Sequence, residues 1–446
     1  MKRIAVVGAG PAGLYAAEAL SKSGRVEIDV IDRLPVPCGL VRYGVAPDHL
    51  SIRSVRDTLD AILDLPGVAF MGNVDVGTDV SPADLMRFYD AVLWSYGAPT
   101  DRTLDIPGEG LPGSFSATSF VNWYTGHPDA SRHFDALLSG PRVATVIGVG
   151  NVAVDVARIL VTPAAKLSHT EMPDHVLAAL AASTITEVHV LGRRGPAHAS
   201  FTTKELKELG EIDGVRVVID ERDLERTAAT QSVVDSDKVA ARNLVVMEEW
   251  SAREWPPGER TLFLHFYARP DHITGDSAVT GLSIMRTSVT PDGRVEDTGE
   301  TWDLPTDLVI RSVGYRGEPL AGVPFDAGRG TIPHEDGRVA RDGAVVPGHY
   351  TAGWIKRGPS GIIGTNKKDA SATVTALLED LDDLPDAPER GGLRAFLDQR
   401  QHPTVDTSGW RRISQAECEL GAKSGRERVT ITERDELLAL GVTPSR

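Results

Sequence analysis

Residues 2–32 read KRIAVVGAGPAGLYAAEALSKSGRVEIDVID, and this stretch decides the fold class. Its apolar pattern predicts a strand over residues 3–7, a helix over 14–21 and a second strand over 26–31. The turn Gly8-Ala9-Gly10-Pro11-Ala12-Gly13 joins the first strand to the helix. A strand, a glycine turn, a helix and a strand within about thirty residues form the unit that binds a dinucleotide.

The glycines of this first turn each have a physical reason. Gly8 makes the tight turn, Gly10 lets the backbone approach a pyrophosphate, and Gly13 lets the helix pack closely on the strand. Pro11 and Ala12 begin the helix, whose free N–H groups and positive end favour a phosphate. The turn therefore predicts a phosphate cradle.

An acidic residue stands where the ribose of the nucleotide would lie. Asp32 follows Gly13 by 19 residues and comes at the end of the second predicted strand. A carboxylate there binds a ribose diol. The basic start followed by an apolar run also resembles a secretory signal, but the three glycines interrupt that run. The sequence favours a nucleotide site over a cleaved leader.

A second glycine turn follows 140 residues later. Gly148-Val149-Gly150-Asn151-Val152-Ala153 lies between a predicted strand over 142–147 and a predicted helix over 154–160. The next predicted strand, 187–191, leads into Arg193 and Arg194 instead of an acid. Two guanidinium groups can hold a 2′-phosphate, which favours NADP(H) over NAD(H). The alternative is that both arginines are merely solvated.

Two such turns in one chain imply two dinucleotides, and we expect FAD and NADP(H). The expected fold class is α/β, with two Rossmann-like dinucleotide-binding domains. In such a pair the nicotinamide can face the flavin, and the flavin carries the redox chemistry.

Composition narrows the function classes. The chain has 446 residues, a net charge of −16 and two cysteines, Cys38 and Cys418. Such acidity disfavours a broad nucleic-acid surface. Two cysteines are too few for a four-cysteine iron–sulfur cluster, and their positions do not form a C-x-x-C redox pair, so we expect no metal. Because no apolar run reaches about 18 residues, we expect no membrane span.

Outside the turns, the sequence predicts several further elements. Ser51 is expected to cap a helix that carries Ile52 to Leu63, and Ser81-Pro82 to begin another. Residues 262–267 and 281–287 are expected to form antiparallel strands. The last core helix is expected to begin near residue 365. Residues 379–390 are expected to form an exposed turn into a C-terminal appendage, to which no function is assigned.

Longer motifs carry a resemblance to a known family. PVPCGLVRYGVAPDH (35–49), GVGNVAVDVARIL (148–160), LGRRGP (191–196), FTTKEL (201–206), VIRSVGYRG (309–317) and WIKRGPSGIIGTNKKDA (354–370) resemble the adrenodoxin reductase family. The resemblance is greatest to its actinobacterial-type ferredoxin–NADP⁺ reductases. It covers nearly the whole chain to about residue 385.

The resemblance implies a discontinuous FAD-binding domain, residues 1–101 and 325–446, and an NADP-binding domain at 102–324. It places Ala12, Asp32, Gly39, Leu40 and Val76 at FAD and Trp354, Gly361, Ile362 and Ile363 beside the flavin, with Gly361 also near the nicotinamide. It places Arg102, Val149, Gly150, Asn151, Val152, Arg193, Arg194 and Glu205 at NADP(H).

Two residues match family positions near the redox centre, and we treat them as catalytic candidates. His49 could relay the proton that flavin reduction requires, and Asp155 lies in the first turns of the helix after the second glycine turn. A purely structural role is the alternative for each. Cys38 stands where family members carry a bulky aromatic residue, and it lacks a partner for redox chemistry.

The implied reaction is hydride transfer from NADPH to FAD, followed by single-electron transfer to a ferredoxin-type iron–sulfur protein, which could also supply cytochrome P450 enzymes. The alternatives are another NADPH-dependent flavoprotein, a quinone reductase or a monooxygenase, and a nucleotide sensor without turnover. The absence of C-x-x-C disfavours thioredoxin reductase chemistry. We expect a cytoplasmic enzyme. The sequence does not determine the oligomeric state, and a monomer is the expectation.

The expected iron–sulfur partner is acidic, as is this chain, so docking needs a local basic patch. The sequence offers two candidate clusters. One comprises Lys356, Arg357, Lys367 and Lys368, and the other comprises Lys204 and Lys207.

Overall fold

The computed structural model describes residues 1–256, 258–389 and 392–442. The strands are β1 (Lys2–Val7), β2 (Val26–Asp32), β3 (Val68–Gly72), β4 (Ala91–Trp94), β5 (Thr100–Asp101), β6 (Ser114–Ser116), β7 (Val143–Ile147), β8 (Glu187–Leu191), β9 (Val215–Ile219), β10 (Arg260–His265), β11 (Ala268–Thr274), β12 (Gly281–Val289), β13 (Val295–Pro305), β14 (Leu308–Arg311), β15 (Tyr315–Arg316), β16 (His334–Glu335), β17 (Arg338–Arg341) and β18 (Ala344–Thr351).

The α-helices alternate with many of these strands, as expected for an α/β protein. They are α1 (Pro11–Ser23), α2 (Leu40–Tyr43), α3 (Leu50–Arg53), α4 (Val55–Asp60), α5 (Pro82–Phe88), α6 (Ala117–Thr125), α7 (Phe134–Leu137), α8 (Asn151–Val161), α9 (Ala164–Leu167), α10 (Asp174–Ala181), α11 (Thr203–Leu209), α12 (Ala228–Ser236), α13 (Lys238–Ser251), α14 (Trp354–Arg357), α15 (Ile363–Asp380), α16 (Gly392–Gln399), α17 (Thr407–Lys423) and α18 (Arg434–Gly441). Within the described ranges, no helix is both long enough and apolar enough to cross a membrane.

The chain divides into two compact units. The first comprises Met1–Thr100, Thr125–Asp129 and Gly314–Arg446, and the second comprises Asp101–Tyr124 and Ala130–Val313. Each contains its own sheet and its own glycine turn.

The first unit contains a seven-stranded sheet in the order β16-β17-β18-β4-β1-β2-β3. Strands β18, β4, β1, β2 and β3 run parallel, and β17 and β16 continue the sheet antiparallel. Because parallel strands end at one edge, the residues that follow β1, β2 and β18 meet there. Ligands of open α/β sheets bind at this edge.

The second unit contains a six-stranded parallel sheet in the order β6-β14-β7-β8-β10-β9 and a separate antiparallel sheet of β11, β12 and β13. The prediction that 262–267 and 281–287 are antiparallel strands is therefore right for 281–287 and wrong for 262–267. Strand β10 pairs in parallel with β8 and β9, whereas β12 pairs with β11 and β13. The alternating pattern identified the strands, but it does not identify their neighbours.

The helix predicted to begin at a Ser51 cap is also different. The segment forms α3, α4 and a 3₁₀ turn at Ala61–Asp64, and His49 precedes α3 as its N-cap residue. Ser51 lies inside α3. The predicted helix that begins after Ser81 is observed as α5, where the Ser81 hydroxyl accepts a hydrogen bond from the backbone N–H of Asp84.

The C-terminal segment is not a loose appendage, because its apolar side chains lie in the core of the first unit. Trp410, Ile413 and Leu437 belong to the same apolar core cluster as Ile4 and Val30, and they are at most 1% exposed. Residues 381–389 alternate between buried and exposed, and Arg390 lies outside the described residues. The segment completes the core rather than extending from it.

The boundaries of the units differ from the predicted ones in two places. The second boundary falls at Val313/Gly314 instead of residue 324. Val323 lies in an apolar cluster of the first unit, which explains why this stretch belongs there. Residues 125–129 also belong to the first unit, where the Thr125 hydroxyl donates to the carbonyl of Tyr43 at 3.1 Å.

Candidate functional site

The first glycine turn has the geometry that a pyrophosphate cradle needs. Gly8 has φ +106°, and a Cβ there would lie 2.6 Å from the carbonyl oxygen of Ser95. A Cβ at Gly13 would overlap the carbonyl oxygen of Gly8, so only glycine lets α1 pack this closely on β1. At Gly10, nothing lies within 4 Å of the same position, and that backbone faces open space.

Asp32 ties the end of β2 to the glycine turn. Its carboxylate accepts hydrogen bonds from the backbone N–H groups of Ala9 at 2.7 Å and Leu34 at 2.9 Å. Burial raises the pKa of Asp32, and the two N–H donors partly offset that effect. Two bonds leave accepting capacity on a carboxylate, so Asp32 can also receive a ribose hydroxyl.

The segment around Cys38 covers the glycine turn. The N–H of Cys38 donates to the carbonyl of Ala9 at 2.9 Å, and a Cβ at Gly39 would lie 2.9 Å from Cα of Gly10. Cys38 is 1% exposed, and burial raises the pKa of its thiol to about 12. Because Cys418 is free and exposed and Cys38 is free and buried, the two form no disulfide.

The end of β18 meets the start of α1. A Cβ at Gly353, which has φ +79°, would lie 2.6 Å from Cβ of Ala12. Trp354 follows as the first residue of α14. It is half-buried, with its ring centroid 5.2 Å from that of Tyr315. The structure thus places Trp354 directly after a glycine that contacts the first helix.

Asp369 on α15 holds this segment in place. Its carboxylate accepts a bond from the N–H of Gly353 at 2.5 Å and pairs with Lys356 at 2.9 Å and Arg357 at 3.1 Å. Asp369 was missed in the sequence, although it lies inside the motif that carries the family resemblance. Its role depends on partners 12 to 16 residues away, which no local pattern reveals.

The loop before α15 is open to solvent. The helix begins at Ile363, two residues before the predicted start, and Ile362 is 70% exposed. Gly361 has φ +83° and is also exposed. The hydroxyl of Thr365 accepts a bond from the N–H of Ile362 at 3.2 Å. The positive end of an 18-residue helix therefore lies at the predicted flavin residues.

The remaining candidates of the first unit lie in two further segments. Leu40 begins α2 and is 37% exposed, whereas Val76 is 9% exposed and forms a bridge with Val80. His49 is buried, and its carbonyl accepts the first N–H bonds of α3 from Ile52 and Arg53. Its backbone position is fixed by that helix.

The second glycine turn repeats the geometry of the first. Gly148 has φ +134°, and a Cβ there would overlap the carbonyl oxygen of Ser312. Ala153 is fully buried where α8 packs on the sheet. Gly150 and Val149 are half-buried, and the N–H of Ser200 donates to the carbonyl of Val149 at 2.9 Å.

A second loop is tied to this turn through Asn151. Its side-chain oxygen accepts a bond from the N–H of Thr202 at 3.1 Å. The carboxylate of Glu205 accepts bonds from the N–H of Thr202 at 3.1 Å and from its hydroxyl at 2.7 Å, so Glu205 forms the capping box of α11. Val152 lies half-buried on the first turn of α8.

The predicted 2′-phosphate residues follow β8. The side chains of Arg193 and Arg194 are both exposed, as is Arg102 in the same unit. Asp155 is 8% exposed and pairs with Arg158 at 2.9 Å on α8. A structural ion pair is therefore present at Asp155.

The first candidate docking cluster is only partly on the surface. The side chains of Lys356 and Arg357 are 10% and 18% exposed, and both pair with the single carboxylate of Asp369. Their inclusion in an exposed patch was wrong, because they hold the β18–α14 turn. Lys367 is exposed and pairs with Glu18 at 3.2 Å, and Lys368 is exposed. In the other cluster, Lys204 and Lys207 are exposed.

Two sheets with glycine turns at their carboxyl edges define a protein that binds two dinucleotides, the architecture of a pyridine-nucleotide-dependent flavoprotein. Comparisons with known proteins agree with this class. Residues 6–58 match the family model described as NAD(P)-binding Rossmann-like domain. The chain is 42% identical to NADPH-ferredoxin reductase FprA of Mycobacterium tuberculosis, over 98% of this chain and 99% of that protein.

Other relatives and solved structures extend the likeness. The chain is 38% identical to the mitochondrial NADPH:adrenodoxin oxidoreductase of Bos taurus, over 98% of this chain and 92% of that protein. The structure of Mycobacterium tuberculosis FprA in complex with NADPH matches with a TM-score of 0.91 at 41% identity, over 99% of each chain. The chain belongs to the family of adrenodoxin reductase-type NADPH-ferredoxin reductases.

Proposed function

We propose that this chain is an FAD-dependent NADPH:ferredoxin oxidoreductase, in which the first unit binds FAD and the second binds NADP(H). The full-length identity of 42% to a NADPH-ferredoxin reductase is the observation that carries this proposal. The two glycine turns support it, because each has the backbone geometry for a dinucleotide.

The residues of the first unit fit FAD. Gly10 leaves its backbone open to a pyrophosphate, and Asp32 keeps accepting capacity for a ribose hydroxyl. The segments that carry Gly39, Leu40 and Val76 would contribute further contacts. When bound, FAD accepts a hydride from NADPH and releases the electrons one at a time.

The loop over residues 353–363 would hold the flavin end. Trp354 offers an aromatic face, and the α15 N-terminus at Gly361, Ile362 and Ile363 offers a positive dipole. Such a dipole stabilises negative charge on the reduced ring. Asp369 fixes the loop through Gly353, Lys356 and Arg357.

The residues of the second unit fit NADP(H). The turn at Val149, Gly150, Asn151 and Val152 would receive the pyrophosphate, and Arg102 and Glu205 would line the nucleotide. The exposed guanidinium groups of Arg193 and Arg194 would pair with the 2′-phosphate. An acidic side chain in their place would repel that phosphate.

The two catalytic candidates, His49 and Asp155, are both buried. We assign to the His49 imidazole the relay of the proton that accompanies hydride transfer. Asp155 would act as a fixed negative charge, held by its 2.9 Å pair with Arg158. The alternative for both is a role in packing alone.

The one-electron acceptor would be an acidic ferredoxin-type iron–sulfur protein. The test measures FAD and metal content of the purified enzyme, NADPH–ferricyanide activity, and cytochrome c reduction with and without each candidate ferredoxin. We expect one FAD, no iron or zinc, and cytochrome c reduction that depends on the ferredoxin.

The other outcomes separate the alternatives. Ferricyanide reduction without any ferredoxin dependence, but with rapid quinone reduction, would indicate a quinone reductase. NADPH consumption that requires an organic substrate and oxygen would indicate a monooxygenase. Nucleotide binding without ferricyanide reduction would indicate a sensor.

A further inference from the structure

The loop that carries Arg193 and Arg194 is held by its backbone. The hydroxyl of Thr287, on β12, donates to the carbonyl of Arg193 at 2.8 Å. The N–H of Tyr267, just after β10, donates to the carbonyl of Arg194 at 3.0 Å. Thr287 is 3% exposed and Tyr267 is 7% exposed, so water does not compete freely for these bonds.

Gly192, the residue before the two arginines, forms hydrogen bonds through both its N–H and its carbonyl. The N–H of Gly192 donates to the carbonyl of His265 at 2.8 Å, and the N–H of Ala268 donates to the carbonyl of Gly192 at 2.9 Å. Three successive peptide carbonyls, from 192 to 194, are therefore fixed by residues 267, 268 and 287. No local pattern around the arginines indicates this support.

Tyr267 has an unusual backbone that suits this position. Its φ is +52°, a left-handed conformation that a tyrosine rarely adopts. The N–H of Thr287 donates to the carbonyl of Tyr267 at 2.9 Å, which links the two supporting residues. Such a backbone persists only where its surroundings determine it, and it is often found at functional sites.

The ring of Tyr267 lies against the residue that follows the arginines. A Cβ at Gly195 would overlap the Tyr267 hydroxyl and lie 2.5 Å from Cζ. The hydroxyl is 3.2 Å from that of Thr230, and the Arg286 guanidinium lies 5.7 Å from the ring centroid. The Tyr267 ring is thus held by Thr230 and Arg286, and its position limits the path that the loop can take at Gly195.

We infer that Thr287 and Tyr267 are positioning residues for nucleotide specificity. They fix the loop backbone so that the guanidinium groups of Arg193 and Arg194 both reach a ribose 2′-phosphate. Paired charge-assisted bonds require a defined geometry, so a displaced loop weakens the contact with the phosphate. This inference rests on the proposed role of the two arginines. It also gives the antiparallel sheet that carries Thr287 a function in substrate choice.

The test uses the purified FAD-containing enzyme and measures ferricyanide reduction with NADPH and with NADH. Thr287→Val keeps the shape of the side chain and removes the hydroxyl. We expect the ratio of KM for NADH to KM for NADPH to fall about 3- to 10-fold, as the loss of one hydrogen bond would give. The change should lie in KM for NADPH, because NADH has no 2′-phosphate.

Two controls are matched to this variant. Thr287→Ser retains the hydroxyl and should retain most of the ratio. Thr298→Val, on β13, removes a hydroxyl that donates to the carbonyl of Arg286 at 3.0 Å. Thr298 is exposed, and this bond goes to β12 and not to the carbonyls of residues 192–194, so the ratio should not change.

A second variant tests the same inference at the contact between the loop and the Tyr267 ring. Gly195→Ala adds a methyl group against the Tyr267 ring, and the ordinary φ of Gly195, −70°, allows alanine. We expect the same fall in the ratio. If Thr287→Val does not yield folded FAD-containing enzyme, the KM ratio of Gly195→Ala alone tests the inference.

The outcomes distinguish this inference from the proposed function. A native enzyme without NADPH preference would contradict the proposed NADP(H) site itself. If replacing both arginines lowers the preference but Thr287→Val and Gly195→Ala do not, the arginine site stands and the inference is overturned. An equal rise of KM for both nucleotides, or loss of folded enzyme in both variants, would overturn it as well.

Discussion

Arg193 and Arg194 are the side chains on which nucleotide choice depends in our proposal. Replacing both by alanine removes two charge-assisted contacts of roughly 1.5–3 kcal/mol each. The preference for NADPH over NADH should therefore fall by about 10²- to 10⁴-fold if the effects add. Steady-state ferricyanide reduction with each nucleotide measures this. Equal losses with both nucleotides would make the arginines structural.

Trp354 is expected to contact the flavin. Because its side chain is half-buried, Trp354→Ala should leave the fold intact. Loss of one aromatic contact should weaken FAD binding or slow single-turnover flavin reduction by about 3- to 10-fold. Flavin fluorescence titration and stopped-flow reduction measure the two effects. Unchanged values in both would place Trp354 in the packing of Tyr315 and away from the flavin.

Residue roles were predictable where they depend on local backbone. Gly8, Gly13 and Gly148 can be recognised from the sequence, because each permits a backbone conformation or a close backbone contact that other residues do not allow. Asp369 and Thr287 could not be found in this way. Their partners are distant along the chain, and aspartate and threonine are common on surfaces.

At the scale of elements, α17 is joined to the rest of the first unit by a buried charge cluster. The carboxylate of Glu417 is fully buried, forms a two-bond ion pair with Arg42, and pairs with Arg428 at 2.9 Å. It also accepts the N–H of Ile431 at 3.0 Å. Burial alone would raise the pKa of Glu417, but Arg42 and Arg428 outweigh it and lower the pKa.

Glu417→Gln should destabilise the protein at neutral pH by about 3–5 kcal/mol, because two buried cations lose their counter-charge. A lowered carboxyl pKa gives stability that is present above the unfolded pKa of 4.5 and lost as pH falls through the folded pKa. The difference between native and variant should therefore shrink below about pH 4.5. Denaturant unfolding across pH measures it.

The control for this prediction lies on the same helix. Glu419 is exposed and accepts a bond from Gln415, so Glu419→Gln should change stability by less than about 0.5 kcal/mol. A Glu417→Gln effect of that size, or one that stays constant down to pH 3, would show that the buried cluster does not depend on the Glu417 charge.

Elements were predictable to different degrees for physical reasons. The strands and helices beside the glycine turns were found, because apolar periodicity and turn chemistry agree there. The pairing of β10 was misjudged, since a strand pattern carries no information about its neighbours. The packing of α17 was missed, because a long-range ion cluster leaves only single charged residues in the sequence.

At the scale of the whole molecule, the net charge of −16 means that the acidic iron–sulfur partner that we propose would need a local basic patch for docking. Ferredoxin-dependent cytochrome c reduction should fall with added salt, as the Debye length shrinks from ~30 Å at 0.01 M to ~10 Å at 0.1 M. NADPH–ferricyanide activity needs no protein docking and serves as the control for nucleotide binding.

Charge reversal identifies the cluster. Lys367→Glu with Lys368→Glu tests the exposed part of the first cluster, and Lys204→Glu with Lys207→Glu tests the second. One of these changes should reproduce the salt effect in the ferredoxin assay and spare the ferricyanide assay. A ferredoxin reaction that salt does not affect, or equal losses in both assays, would contradict electrostatic docking at these lysines.

The interrupted order of the first unit has a consequence for how the protein is made. Strand β18 joins the sheet beside β4 more than 250 residues after β4 is synthesised, and Trp410 and Leu437 enter the same core later still. The second unit is complete once residue 313 has left the ribosome. The core around β1, β2 and β4 therefore lacks part of its apolar cover until α17 and α18 have been synthesised. Transiently exposed apolar surface and unpaired strand edges make a partly folded chain prone to aggregation, so the first unit is the more vulnerable of the two during synthesis.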